Sequence, residues 1–274
     1  MDPSQTQKHR VLIAQVESSP DPEINQKKAE AALAHATEVG ASIAVFPEYF
    51  MTWKRGGHSR EDLLRLSQPV DGGFVAGLSE MAASTGIWIV AGMVERAPEK
   101  ALPYNTIVIL DNVGSLVGSY RKSHLFDAFK YRESDSYSRG EAPFRPIETP
   151  LGTTGLFVCY ELRFPEVARG QALAGATVLV IPSAWVEGPF KDKHWETLLQ
   201  ARAIENGCYV VAAAQAGNEF CGQSLILDPM GVTVAQGSER EDLIVGDIDT
   251  VRIAEVRSTV PSLAHRIPEL YQPH

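Results

Sequence analysis

Short runs of apolar and β-branched residues alternate with stretches of helical spacing, and this rhythm constrains the chain more than any other feature. Arg10–Val16 (RVLIAQV) reads as a buried strand, and Pro20–Gly40 follows with alanines and charges at helical intervals, closed by Gly40 as a C-cap. Ser42–Phe46 reads as a second strand stopped by Pro47, and Gly73–Thr85 as a helix leading through Gly86 into a third strand, Ile87–Val94. The order βαβα predicts an α/β fold, because helices that connect strands must cover the sheet those strands form. From Tyr104 the pattern changes. Asn105–Asp111 and Leu116–Lys122 read as hairpin strands joined by Asn112–Ser115, whose Asn and Gly suit a tight turn. Ser123–Pro143 has no period and reads as a long functional loop. The alternation then resumes with strand Gly155–Cys159, helix Pro165–Ala174, strand Thr177–Ile181, helix Lys191–Asn206 and strand Cys208–Ala214. Strands at Gln223–Asp228, Thr233–Gln236 and Leu243–Asp249 and a short helix at Thr250–Arg257 complete the expected order.

At 274 residues, with 44% hydrophobic residues, the chain can bury a sizeable core. No Pro, Gly or Ser-rich linker divides it and no repeat of fixed period appears, so one domain over 1–274 is expected. Lys+Arg 25 against Asp+Glu 34 gives a net charge of −9 without a run of like charges, which argues against a nucleic-acid partner. Ala176–Ile181 and Tyr209–Ala214 are far shorter than the ~20 residues of a membrane span, so no membrane partner is expected. The polar start, Met-Asp-Pro-Ser-Gln-Thr-Gln-Lys-His-Arg, lacks the order of a signal peptide, and a cytoplasmic location is the expectation. Three cysteines, Cys159, Cys208 and Cys221, cannot all pair and none has C-x-x-C spacing, so neither a disulfide framework nor a zinc site is expected. His58 and His194 lack partners at metal-binding spacing, and no metal or cofactor is assigned.

Three segments place a reactive side chain directly after an expected strand, where it is exposed yet anchored: Phe46-Pro47-Glu48-Tyr49, Tyr120 to Phe126 (YRKSHLF), and Val158 to Glu166 (VCYELRFPE). Each residue alone is weak: a carboxylate after a strand is usually solvated, a lysine there is usually surface, and a lone cysteine is usually a small buried hydrophobe. Together, F-P-E, then R-K-x-H-L-F, then C-Y-E-L-R-F-P-E, in that order, resemble the nitrilase superfamily of carbon–nitrogen hydrolases. The likeness runs from about Val11 to the C-terminal region. R-K-S-H-L-F-D, the Arg-Glu-Ser stretch and H-W-E-x-L-x-x-A-R-A-x-E-N look most like the ω-amidase and deaminated-glutathione amidase branch.

That resemblance implies a four-layer αββα sandwich, two sheets back to back with helices outside, and a homodimer or higher homo-oligomer. Helix Lys191–Asn206 and the tail Pro261–His274 are the candidates for the subunit contact. It also implies Glu48 as general base, Lys122 as oxyanion stabiliser, Cys159 as nucleophile and Glu133 as a further catalytic glutamate. Chemistry agrees with these residue types. A thiol with a pKa of about 8.5 needs a base to attack an amide, and an ammonium with the backbone N–H of Tyr160 can hold the tetrahedral oxyanion. The expected reaction is hydrolysis of a small linear carboxamide to carboxylate and ammonia through a thioester. The alternatives are N-carbamoyl hydrolysis, nitrile hydrolysis, and a catalytically silent member that binds a metabolite.

Specificity is expected from Tyr49, Phe50, Trp53, Phe126, Tyr131 and Trp185 around an apolar pocket. Arg132, Arg139 and Lys191 are read first as solvated cations and second as contacts for a substrate carboxylate. His124 is read as a structural hydrogen-bonding group rather than a partner of the cysteine. Arg163 and Glu166, three apart at a helix start, are read first as a buried ion pair that braces the cysteine turn and second as direct substrate contacts. Cys208 is expected in the core, and Cys221 without function.

Overall fold

Alternation along each strand decides how the layers stack. The computed structural model describes residues 8–96, 98–217 and 219–271; the polar start 1–7 and the end of the tail, 272–274, lie outside them. The elements are β1 (Lys8–Gln15), α1 (Pro22–Glu38), β2 (Ile43–Val45), α2 (Arg60–Leu66), α3 (Gly73–Thr85), β3 (Trp88–Glu95), β4 (Tyr104–Leu110) and β5 (Leu116–Arg121). A small hairpin, β6 (Asp127–Ala128) with β7 (Tyr131–Arg132), precedes β8 (Ile147–Thr149), β9 (Gly152–Leu156), α4 (Pro165–Leu173), β10 (Val178–Ser183) and α5 (Lys191–Asn206). The chain continues through β11 (Tyr209–Ala214), β12 (Leu225–Leu227), β13 (Thr233–Gln236), β14 (Asp242–Asp249) and α6 (Thr250–Thr259).

Two six-stranded sheets form, in the orders β14-β1-β2-β3-β4-β5 and β13-β12-β11-β10-β9-β8. In the first, β1, β2 and β3 run parallel and the outer pairings are antiparallel; in the second, β9, β10 and β11 do the same. Val11 and Ile13 of β1, Val45 of β2 and Ile107 of β4 point to the core shared with Leu156, Val180 and Val211 of the other sheet. Their neighbours Leu12, Ala14, Ala44 and Val108 point the opposite way, onto Ala29, Leu33, Phe74 and Leu78 of α1 and α3. The period of two thus puts one face of the sheet against its twin and the other under helices. On the far side α4 packs on β9, and α5 on β11 and β12. The layers are helix, sheet, sheet, helix.

Local chemistry sets the boundaries. Asp21 caps α1 by accepting from the Glu23 N–H, Pro22 takes the first helical position, and Gly40 turns the chain out at φ +69°. The sequence missed α2, whose only buried side chain is Leu63, and β8, an edge strand of three residues. The expected strand through Cys159 also needs correcting. β9 ends at Leu156, and Cys159–Arg163 is a 3-10 turn. The expected loop 123–143 is irregular except for the β6–β7 hairpin and a 3-10 turn at Glu133–Asp135.

Candidate active site

Glu48 follows β2 and is carried by a tight turn: Gly92 of β3 donates to the Pro47 carbonyl at 3.3 Å and accepts from the Met51 N–H at 2.9 Å. Lys122 follows β5, its N–H bonded to the Asn105 carbonyl at 2.9 Å and its carbonyl accepting from Gly140 at 2.9 Å. Cys159 opens its turn at φ +48°, and Tyr49, beside Glu48, stands at φ +57°. Two non-glycine residues in the left-handed region at one site are the kind of local strain that a surrounding framework must hold.

The structure brings Glu48, Lys122, Glu133 and Cys159 to one cavity of about 400 Å³. Lys122 Nζ lies 2.8 Å from Glu48 Oε1 and 2.8 Å from Glu133 Oε2, so one ammonium bridges two carboxylates. Glu48 Oε2 accepts from the Ala184 N–H at 2.8 Å, while Glu133 accepts from the Tyr49 hydroxyl at 2.6 Å and the Phe126 N–H at 2.6 Å. Asn105 Nδ2 reaches both carboxylates, at 2.7 Å and 3.0 Å. Sequence reading missed Asn105; its only signal was an amide near the head of the mostly apolar strand β4.

Burial disfavours the Lys122 ammonium, yet Glu133 and then Glu48 hold it protonated well beyond the ordinary lysine range. Burial, reinforced by the charge of Glu48, pushes the Cys159 thiol well above its usual value, with Lys122 pulling the other way. The sulfur therefore rests as a thiol with a carboxylate beside it. Such a group cannot act as a preformed thiolate and needs a base at the moment of attack.

Five of the six expected specificity residues, Tyr49, Trp53, Phe126, Tyr131 and Trp185, line the cavity, as does Tyr160. Phe50 does not line it; it is fully buried, stacked on Phe46 at 4.5 Å. Arg163 and Lys191 also line the cavity, which corrects two expectations. Arg163 makes no pair with Glu166, which is exposed; its guanidinium lies 4.8 Å over the Trp185 ring, and its Nε and Nη2 are buried without a hydrogen bond. Lys191 is 6% exposed, not a solvated cation, and its Nζ sits 4.5–5.1 Å from the rings of Phe126, Phe129 and Trp185. Burial and then the charge of Arg163 lower the Lys191 pKa. Among the described residues neither cation has a carboxylate partner. Arg132 and Arg139 are exposed, outside the cavity lining. His124 bonds Glu161 and Ser123 and stacks on Phe164, away from the sulfur's partners. Cys208 and Cys221 are buried free thiols, and His58 bonds Thr52 at 2.9 Å. Among the described residues no group of three or more His, Cys, Asp or Glu could hold a metal ion, and no helix is long and apolar enough to cross a membrane.

The carbon-nitrogen hydrolase family matches residues 10–258. The chain belongs to that family. Among carbon-nitrogen hydrolases it is 39% identical over 277 residues to deaminated glutathione amidase of Bos taurus, covering 95% of this chain and 83% of the relative. Its fold matches Saccharomyces cerevisiae Nit3, a member of branch 10 of the nitrilase superfamily, with a TM-score of 0.82 and 30% identity over 93% of this chain and 94% of that one. It also matches a mutant of the amidase from Nesterenkonia sp. AN1 showing covalent addition of the acetamide moiety of fluoroacetamide at the active site cysteine. That match has a TM-score of 0.79 and 25% identity, covering 99% and 98% of the two chains. The expected superfamily and the α/β architecture are thus shown, and the chain is an amide-acting carbon-nitrogen hydrolase.

Proposed function

We propose that this amidase hydrolyses the carboxamide of a small linear acid through a thioester on Cys159. The observation that carries this reading is the ammonium of Lys122 held 2.8 Å from Glu48 in the cavity that Cys159 lines. Glu48 takes the thiol proton as sulfur attacks the amide carbonyl, and the carbonyl π electrons move onto oxygen. Lys122 and the Tyr160 N–H stabilise that oxyanion, an effect of about 3–4 kcal/mol per donor. Collapse of the intermediate breaks the C–N bond, and Glu48 returns its proton to the departing nitrogen, which leaves as ammonia. Water then enters, Glu48 takes one of its protons, and the hydroxide attacks the thioester. The tetrahedral intermediate collapses with cleavage of the C–S bond, Glu48 returns its proton to the sulfur, and the carboxylic acid departs. Glu133, bonded to Lys122, orients the ammonium and the substrate amide without exchanging a proton.

Arg163 and Lys191 support an acyl group that carries a carboxylate at its far end, since two partly or fully buried cations without anions favour an anionic ligand. The reading is tested by offering wild type and Cys159→Ala a panel of ω-amides with and without a terminal carboxylate, and measuring ammonia and intact mass. Ammonia from acidic amides in the wild type, and none from the variant, is the expected result. Release of carbon dioxide with the ammonia would mark a carbamoyl substrate instead, and binding without product or adduct a silent member. The same reading expects a homodimer or higher oligomer. Exposed Ile204 on α5, and Leu270 and Tyr271 in the tail, support a contact there, and sedimentation at micromolar concentration tests it.

A further inference from the structure

Glu161 is fully buried, does not line the cavity, and takes no part in the steps above. Its Oε2 accepts from the Val158 N–H at 2.8 Å, the residue immediately before Cys159. Its Oε1 gathers the donors of the lysine segment: the Tyr120 hydroxyl at 2.7 Å, the Ser123 N–H and hydroxyl at 3.0 Å and 2.7 Å, and the His124 N–H at 3.1 Å, with His124 Nδ1 at 3.2 Å. Tyr120 and Ser123 lie on either side of Lys122 in the chain, so one oxygen grips the segment that bears the ammonium while the other grips the turn that bears the sulfur.

The two segments come from different sheets: Lys122 follows β5 of the first and Cys159 follows β9 of the second. Among the described residues no strand of one sheet pairs with a strand of the other, and beside a backbone bond from the Ala216 N–H to the Val16 carbonyl at 3.1 Å, side chains that cross between the sheets set the relative placement of sulfur and ammonium. A carboxylate is suited to that task because each of its oxygens accepts more than one bond and its charge strengthens them all. Glu48 and Glu133 fix the tip of Lys122, and Glu161 fixes its root.

We propose that Glu161 is a positioning residue for amide hydrolysis: touching neither substrate nor reacting atoms, it sets the separation and orientation of Cys159 and Lys122 by tying their two backbone segments together. This rests on the reading of Cys159 and Lys122 given above. A displacement on the order of 1 Å at a reacting centre costs about 10²-fold in rate. Glu161→Gln keeps the shape but offers one acceptor oxygen, so its NH₂ must face either the Val158 N–H or the lysine-side donors. The expected result is a fall in kcat of about 10- to 100-fold with KM within about twofold, and slower thioester formation by intact mass. Alkylation of Cys159 by iodoacetamide, which needs the sulfur but forms no oxyanion for the lysine to hold, should stay within about threefold of wild type. That contrast separates positioning from general damage, which would slow both together.

A Glu161→Gln enzyme with kcat within about twofold of wild type, or with alkylation and turnover falling in step, would overturn the proposal. Should that variant fail to fold, Tyr120→Phe with Ser123→Ala removes two hydroxyl donors from the lysine side and leaves the Val158 bond in place. It is expected to lower kcat about fivefold at unchanged KM, and unchanged kcat would overturn the proposal just as well. Ammonia release that survives Cys159→Ala would instead sink the acyl-enzyme reading and leave no reaction for Glu161 to serve.

Discussion

Lys122 keeps a positive charge where almost no water reaches, and two carboxylates at 2.8 Å are what hold it there. Removing it strands Glu48 and Glu133 together in a buried space, and breaking such a group typically costs about 3–5 kcal/mol. Lys122→Ala is therefore expected to lower the melting temperature and to cut kcat at least about 10²-fold while KM changes little. Steady-state kinetics beside a thermal melt check both; lost affinity at unchanged turnover would contradict the oxyanion role. Cys159 gives a prediction of opposite sign for its two chemistries. Burial and then the Glu48 charge raise the thiol, so Glu48→Gln should bring its pKa down, read from the pH dependence of alkylation. The same variant should lose amide turnover, because a freer thiolate still cannot protonate the leaving nitrogen. A thiol pKa that stays put or rises in Glu48→Gln would show that the carboxylate does not act on the sulfur.

Turns carry the reacting groups, and the elements behind the turns decide where those groups sit. Gly92 of β3 lies under the Glu48 turn, and a Cβ there would fall 2.7 Å from both the Pro47 carbonyl oxygen and the Tyr49 nitrogen. These are backbone atoms, so Gly92→Ala must move the turn itself. It is expected to destabilise by about 1–3 kcal/mol and to lower kcat severalfold, measured by denaturant unfolding and steady-state kinetics. Gly86, at φ +70° with open space around it, supplies the control: Gly86→Ala strains only its own backbone and should leave kcat unchanged. The same contrast explains what could be read from the chain in advance. α3, α5 and the β4–β5 hairpin were legible because their periods are long enough to stand out, and the F-P-E, R-K and C-Y-E segments because their order matches a family. Phe50 was misread because alternation alone does not tell a cavity wall from a core stack. Asn105 was not legible as a site residue, and Arg163 and Lys191 only as second readings, since the enclosure that makes an unpaired cation or a shared amide informative exists only once the two sheets meet.

The two sheets repeat one pattern of pairings, three parallel strands flanked by antiparallel ones, and the candidate site is assembled where their ends meet. Glu48 follows β2 of the first sheet; Ala184, whose N–H it accepts, follows β10, the middle parallel strand of the second. The carboxylate and its donor are thus counterparts on facing sheets, and neither half of the molecule holds the site alone. Activity and fold should be lost together: in urea, the midpoint of ammonia release should coincide with that of far-UV circular dichroism. Acid acts on the same seam. Burial alone would raise the Glu161 pKa, but the bonds from His124, Ser123 and Tyr120 outweigh it and hold the carboxyl below its ordinary 4.5. A group depressed in the folded state stabilises in full above its unfolded value, and that contribution disappears as pH falls through the folded one. Stability should therefore drop as pH falls below about 4.5, and Glu161→Gln should flatten the drop in urea midpoints taken from pH 6 down to pH 3. An unaltered acid profile in that variant would mean that the sheets are held together in acid by other carboxylates, and that Glu161 does not carry its charge across the seam.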